Sequence, residues 1–346
     1  MTAAAMHLLR IGGIACYMWY RWEIKRALAL LLAACLALCL LVATLRGCRL
    51  ACQREKRQDD ESLLVYLHAE GRVVSMAMDA YLYGVVGGEM PASFPLEALK
   101  AQAVAARTYT VRRMAALGGK PCGRGGADVC TDSACCQSYK SPEALAERWG
   151  SEAKRNADKL KEAVAATHGV IAIYEGEPIE ALYHSTAGDR TEDAQNVFAA
   201  ALPYLVGVES PGEQDAVHYT DEARLGRRAF VKAVNKKWPK AKLKESKLES
   251  QVKVLSRFES GQVETLRLGG AQTTGKELRK LLDLKSANFA FDFSAKEVVI
   301  TTHGYGHGVG MSQYGARAMA LEGEDYEAIL KHYYTGIELA QMEELQ

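Results

Sequence analysis

From Pro95 to Tyr109 the chain reads Pro-Leu-Glu-Ala-Leu-Lys-Ala-Gln-Ala-Val-Ala-Ala-Arg-Thr-Tyr, and from Ala101 to Ala106 it carries no charge. Side chains this small let neighbours approach closely, and a helix without a charged face has no side to offer water, so it belongs inside the domain. The fold must therefore wrap other elements around a buried helix. Pro95 suits the first helical position, where the missing N–H is not needed. The pattern predicts a helix over 95–117, stopped by Gly118-Gly119.

Just ahead stands Gly87-Gly88-Glu89-Met90-Pro91. Two glycines free the backbone before a carboxylate, and Pro91 and Pro95 stiffen the turn, which puts Glu89 at the entrance of the buried helix. Two readings follow. A carboxylate at a helix start is favoured by the dipole and needs no further role. Alternatively, burial at the helix edge raises its pKa and makes it a proton donor near neutral pH. The residues alone leave both open.

The chain has 346 residues and a formal net charge of +1, so no global field points to nucleic acid. Ala27 to Leu45 is an uncharged apolar run. As a helix rising 1.5 Å per residue it would be about 28 Å long, close to a bilayer core, and it is read as one transmembrane helix. Residues 1–26 then form the segment before the span, 46–61 a polar linker, and 62–346 the main domain. Basic residues flank both ends, among them Arg21, Lys25, Arg46 and Arg49, so charge does not fix the orientation.

Within 62–346, strands are expected over 63–68 and 72–78, and a short helix from Asp79 to Val86. Further helices are expected over 142–149, 152–167, 226–237, 312–321 and 326–333. A hairpin is expected to pair 170–174 with 179–184 around Glu175-Gly176-Glu177-Pro178. Strands and helices do not alternate regularly, so the fold class is α+β with mixed sheets. Seven lysines between Lys232 and Lys247 read as a solvated face, or less simply as attraction to anionic polymers.

Two more clusters carry candidate chemistry. Cys122, Cys130, Cys135 and Cys136 are close enough in sequence to pair as disulfides or to bind metal. His307 lies between glycines in Gly304-Tyr305-Gly306-His307-Gly308-Val309-Gly310, a turn that lets backbone approach a ligand, or simply packs a histidine. It is no phosphate loop, because no Gly-Lys-Ser/Thr follows. A Ser185–His307 nucleophile pair is conceivable, but no nucleophile-elbow sequence supports it.

Four blocks together resemble the sporulation protein D family of peptidoglycan lytic transglycosylases. They are Gly88-Glu89-Met90-Pro91 with Glu97 to Tyr109; Tyr183-His184-Ser185-Thr186-Ala187-Gly188-Asp189-Arg190-Thr191-Glu192; Gly275 through Phe289; and Gly304 to Ala316. The resemblance spans roughly residues 62–336, and implies that 62–346 lie outside the cytoplasm, with 1–26 as a cytoplasmic segment. It implies that Glu89 is the catalytic acid and then base, and that Ser185, Thr186, His307, Gln313 and Tyr314 line the substrate cleft. Asp189 and Glu192 are candidate second acids, although Asp189 stands where the family usually has glycine. Some members bind zinc with one His and two Cys. Cys130 and Cys136 match the cysteines, Arg124 falls at the histidine, and Cys122 is near enough to replace it, with Cys135 as a fourth thiolate. No cofactor is needed for the chemistry, and a zinc would be structural. The resemblance further implies glycan strands free of stem peptides as substrate. It also implies a sporulation amidase (protein P) and a membrane protein (protein M) as partners during engulfment. A non-catalytic alternative remains, since related domains occur in proteins that enhance a cell-wall amidase.

Overall fold

The structure, a computed structural model, describes residues 62–198 and 200–345. The segments 1–26, 27–45 and 46–61 read from the sequence lie outside the described residues. Among those described, no helix is long and apolar enough to cross a membrane.

The alanine-rich helix is central. Helix α1 (Met78–Glu89) leads into helix α2 (Leu96–Val111), which is buried from Ala98 onward except at Lys100. Around α2 pack α1, helix α4 (Ala153–Ala166), the helices Gln313–Leu321 and Tyr326–Tyr333, and the strand Val170–Tyr174. Helix α3 (Pro142–Trp149) lies against α1 and α4. The alanines let five elements close on one helix.

α2 ends at Val111, earlier than its sequence suggests. The amide of Ala115 is taken by Asp128 Oδ1 at 2.9 Å, which draws the chain out of the helix into a short 3₁₀ turn, Ala115–Leu117. The hairpin also departs from expectation. Val170–Tyr174 pairs antiparallel with Glu177–Pro178 on one side and with Glu338–Gln341 on the other. Beyond Ile179 the chain leaves, and Tyr183–His184 pairs parallel with Met311–Ser312. That pairing joins two of the motif blocks side by side.

A second core forms between Thr220 and His303. Phe230, Val234, Leu266, Leu278, Phe289 and Ile300 are fully buried there or nearly so. Two three-stranded antiparallel sheets build it: Val252–Arg257, Val263–Leu268 and Ala271–Thr274; and Phe289–Phe293, Glu297–His303 and Thr220–Gly226. The helix Arg227–Lys237 buries Phe230 and Val234 and leaves Lys232, Lys236 and Lys237 exposed, as a solvated face requires. Both cores belong to one compact unit, Leu63–Gln346, of mixed α+β class.

Candidate active site

Glu89 is the last residue of α1, not the entrance to α2. The chain breaks at Met90, whose extended backbone precedes Pro91, and α2 starts only after Pro95. The carboxylate thus sits at the negative end of a helix dipole, which disfavours its charge. The helix-start reading is thereby overturned. Gly87 and Gly88 are ordinary helical residues, and their use is proximity rather than freedom. A Cβ on Gly88 would lie 2.7 Å from the Ser138 carbonyl oxygen. This close approach lets the Ser138 amide donate to Glu89 Oε1 at 2.5 Å. Burial pushes the Glu89 pKa above its ordinary value, while the Ser138 amide and the Gln313 and Tyr183 side chains hold it partly down.

Glu89 opens onto a cleft of about 1210 Å³ that Ser185, His307 and Gln313 also line. Tyr183, in the same wall, donates from its hydroxyl to Gln137 Oε1 at 2.7 Å, and Gln137 Nε2 reaches Thr110 Oγ1 at 3.2 Å on α2. Buried α2 therefore fixes the amide that orients the phenol beside the carboxyl.

Thr186 and Tyr314, expected in the cleft, do not line it. Tyr183, His184 and Ser185 line the opening, whereas Thr186 is buried outside it. Thr186 exchanges backbone hydrogen bonds with Tyr305, at 3.0 and 2.8 Å. Tyr314 follows Gln313 on a helix, about 100° around it, and packs edge-on against Phe94 at 5.0 Å. Both residues shape the wall. Ser185 and His307 form no nucleophile pair: the serine hydroxyl meets Thr186 Oγ1 at 3.3 Å, and His307 Nδ1 accepts the Val309 amide at 3.0 Å.

His184 was not singled out in the sequence, although it stands inside a motif block. It is buried on the cleft floor, 5.5 Å from the His307 ring, and its Nε2 has no hydrogen-bond partner among the described residues. Burial holds the pKa of His184 down at about 3, helped by His307, and that of His307 at about 4, helped by Arg279. Both rings are neutral above pH 5. The glycine turn brings them together, since a Cβ on Gly306 (φ 126°) would lie 2.6 Å from the His184 Cβ.

Neither candidate second acid reaches the cleft. Asp189 is exposed with φ 87°, a left-handed backbone that accounts for a glycine preference, and takes a hydrogen bond from the Tyr219 hydroxyl at 2.7 Å. Glu192 is buried and takes hydrogen bonds from Ser260 Oγ at 2.5 Å and Asn196 Nδ2 at 2.8 Å. Glu97 accepts the Tyr326 amide at 3.1 Å and pairs with Lys100, a capping role. The other carboxylate in the cleft wall, Glu180, is held by Arg112 and Arg113 at 3.1 and 2.6 Å.

The four cysteines converge. Cys122, Cys130, Cys135 and Cys136 keep their sulfurs within 4.8 Å of one another, all unbonded. Burial pushes the Cys136 thiol up strongly and the Cys130 thiol to about 11. At Cys135 burial also works upward, yet Cys130, Cys136 and Arg124 bring the thiol below its ordinary value. Tetrahedral zinc with Zn–S of about 2.3 Å places sulfurs roughly 3.8 Å apart, and the Cys135 and Cys136 sulfurs are 3.9 Å apart. The set fits a four-thiolate site. Arg124 instead pairs with Asp132 at 3.0 Å and meets His68 Nδ1 at 3.1 Å.

Comparison with known proteins matches residues 66–174 to the family model "Stage II sporulation protein". The chain is 37% identical over 285 residues to stage II sporulation protein D of Bacillus amyloliquefaciens, covering 82% of this chain and 80% of that one. It is 36% identical over 280 residues to stage II sporulation protein D of Bacillus subtilis (strain 168), covering 81% and 79%. The amidase enhancer of Bacillus subtilis (strain 168) is 28% identical over 305 residues, covering 75% of this chain and 40% of that protein.

Proposed function

This chain belongs to the stage II sporulation protein D family, and from that premise we propose that its cleft cleaves peptidoglycan glycan strands as a lytic transglycosylase. One observation carries the reading. Among the described residues, Glu89 is the only carboxylate lining the cleft that no guanidinium holds. A glycosidase that uses water generally works with two carboxylates across the scissile bond, and Glu180 is committed to its arginines. A transglycosylase needs one.

Glu89, whose hold on a proton burial strengthens, donates that proton to the oxygen leaving the muramic sugar. The 6-hydroxyl of that sugar attacks its own anomeric carbon. Glu89, now ionised, accepts the hydroxyl proton as the 1,6-anhydro ring closes, and so returns to its starting state. The neutral rings of His184 and His307, the Gln313 amide and the Ser185 hydroxyl suit sugar hydroxyl and acetamido groups. Incubation with amidase-treated peptidoglycan, followed by mass spectrometry, tests this: anhydro ends support it, and reducing ends alone contradict it.

In this reading a zinc held by Cys122, Cys130, Cys135 and Cys136 would brace the loop carrying Gln137 and Ser138, and takes no part in the chemistry. Residues 27–45 would anchor the domain outside the membrane, with protein P and protein M as partners in engulfment. Protease added to intact cells tests the topology, since digestion only after lysis would place the domain inside. The likeness to an amidase enhancer favours a second reading, in which the cleft binds glycan and recruits an amidase. Glycan binding without any cleavage would select it.

A further inference from the structure

Between Arg227 and Lys253 the chain carries ten Lys and Arg residues against two Glu, although its formal net charge over all 346 residues is only +1. Eight of the ten are lysines, all exposed, and none has an ion-pair partner among the described residues. One of the two acids, Glu249, is held by Arg227 Nη1 and Nη2 at 2.7 and 3.0 Å. Within the stretch only Glu245 remains to offset the lysines.

These lysines do not ride on slack chain. Asn235 clamps Leu243: its Oδ1 accepts the Leu243 amide at 2.8 Å, and its Nδ2 donates to the Leu243 carbonyl at 3.1 Å. Gln251 clamps the neighbours on either side. Its Oε1 accepts the Lys244 amide at 2.8 Å, and its Nε2 donates to the Lys242 carbonyl at 3.3 Å. Ala241 and Leu243 are buried between exposed Lys240, Lys242 and Lys244. Lys242 has φ 47°, a left-handed backbone that glycine adopts at no steric cost. A face that needs only hydration gains nothing from so fixed a backbone, and gathering like charges works against folding. A ligand with many negative charges offsets that repulsion.

The residue type sets the ligand chemistry. An ammonium is a point charge without the planar fork that selects carboxylates, and it suits phosphates met at varied angles. A lipid surface is gripped by basic and apolar side chains together, and no large hydrophobic residue is exposed from Arg227 to Lys253. Single-stranded nucleic acid stacks on aromatic rings, but here Phe230 is buried and Trp238 half-buried. None of these lysines lines the Glu89 cleft.

We propose that the surface from Lys232 to Lys253 is a docking site for a linear phosphodiester polymer of the cell wall, of the polyol phosphate class. It holds the domain to the wall through a surface separate from the cleft, and so goes beyond the cleavage reading.

The test uses the full-length chain in phosphatidylcholine nanodiscs, with fluorescent poly(glycerol phosphate) as the probe. Dissociation constants are measured at 50 mM and 200 mM salt, concentrations that span the screening range (about 8–10 Å Debye length near its middle). The proteins are the wild type, a triple variant with Lys240→Gln, Lys242→Gln and Lys244→Gln, and the same three positions changed to Arg, with melting temperatures to confirm folding. The glutamine variant should bind about tenfold more weakly, roughly two- to threefold per exposed charge, and the arginine variant should stay within about twofold of the wild type. Wild-type binding should weaken by about tenfold or more over the salt step. Cleavage of glycan stripped of phosphate polymers should be equal in all three proteins. No polymer binding at about 50 mM salt overturns the proposal, as does equal binding by the glutamine variant. At equal phosphate, stronger competition by phosphatidylglycerol vesicles or by a single-stranded oligonucleotide also overturns it, since a membrane or nucleic acid would then be the occupant. Polymer binding without any cleavage would refute the transglycosylase and leave the docking surface standing.

Discussion

Glu89 combines burial with the unfavourable end of a helix dipole, and both act on the same side of its proton equilibrium. Its raised pKa means that the ionised form is penalised in the fold. The penalty grows as pH rises above the unfolded value and is full above the folded one. Glu89→Gln removes it. The variant should lose cleavage by about 10²- to 10⁴-fold, and melt about 2–4 °C higher at pH 8, with the gain shrinking toward pH 5; scanning calorimetry across that range measures it. Gly88→Ala should act oppositely. Its Cβ would press on the Ser138 carbonyl from 2.7 Å, costing about 1–3 kcal/mol and moving the amide away from Glu89. Urea unfolding reads the stability loss, and a shifted pH–rate profile reads the displaced amide. The sequence named this acid but set it at the wrong helix end, because Met90-Pro91 stops one helix and Pro95 starts another, and both were read as a single entrance.

Between elements, local pattern carried some of the structure and distance withheld the rest. The burial of α2 was legible, since alanines leave no polar face. Its early end was not, because Asp128, the residue that takes the Ala115 amide, lies 13 residues on. The same limit hid the parallel pairing of Tyr183–His184 with Met311–Ser312, which joins segments far apart in sequence. Without that register, the burial of Thr186 and the helical step that turns Tyr314 away from the cleft had no reference direction. The cysteine quartet was legible as a cluster, whereas only the fold shows four sulfurs within 4.8 Å. If zinc holds this loop, a strong chelator should lower the melting temperature by about 5 °C or more, and zinc should restore it. Elemental analysis finding no metal, with melting indifferent to chelator, would leave four free thiols.

At the scale of the whole molecule, two cores meet behind the cleft. In the sequence reading, Thr220–His303 belongs to the single domain 62–346 and is given no core of its own. The fold instead gives it a core of its own, and from it Ser260 holds Glu192 while Gln262 Nε2 holds the His307 carbonyl at 3.1 Å. The cleft floor is thus braced from both sides and closed over two uncharged histidines. An unfolded chain protonates histidine near 6.5, whereas the fold keeps His184 and His307 neutral down to about 3 and about 4. Between pH 6.5 and 4 the unfolded state binds more protons, so these two residues lower stability as pH falls. Glu89 and Glu213, whose carboxyls burial pushes up, work the other way over the carboxylate range. His184→Gln should therefore flatten the acid decline measured by urea unfolding from pH 7 to pH 5. The central claim is that one buried carboxyl, with no second acid, opens glycan strands. Its most direct measurement is mass spectrometry of amidase-treated peptidoglycan after incubation with the wild type and with Glu89→Gln. The account predicts 1,6-anhydro ends from the wild type and none from the variant. Anhydro ends persisting in the variant, or reducing ends from the wild type, would contradict it.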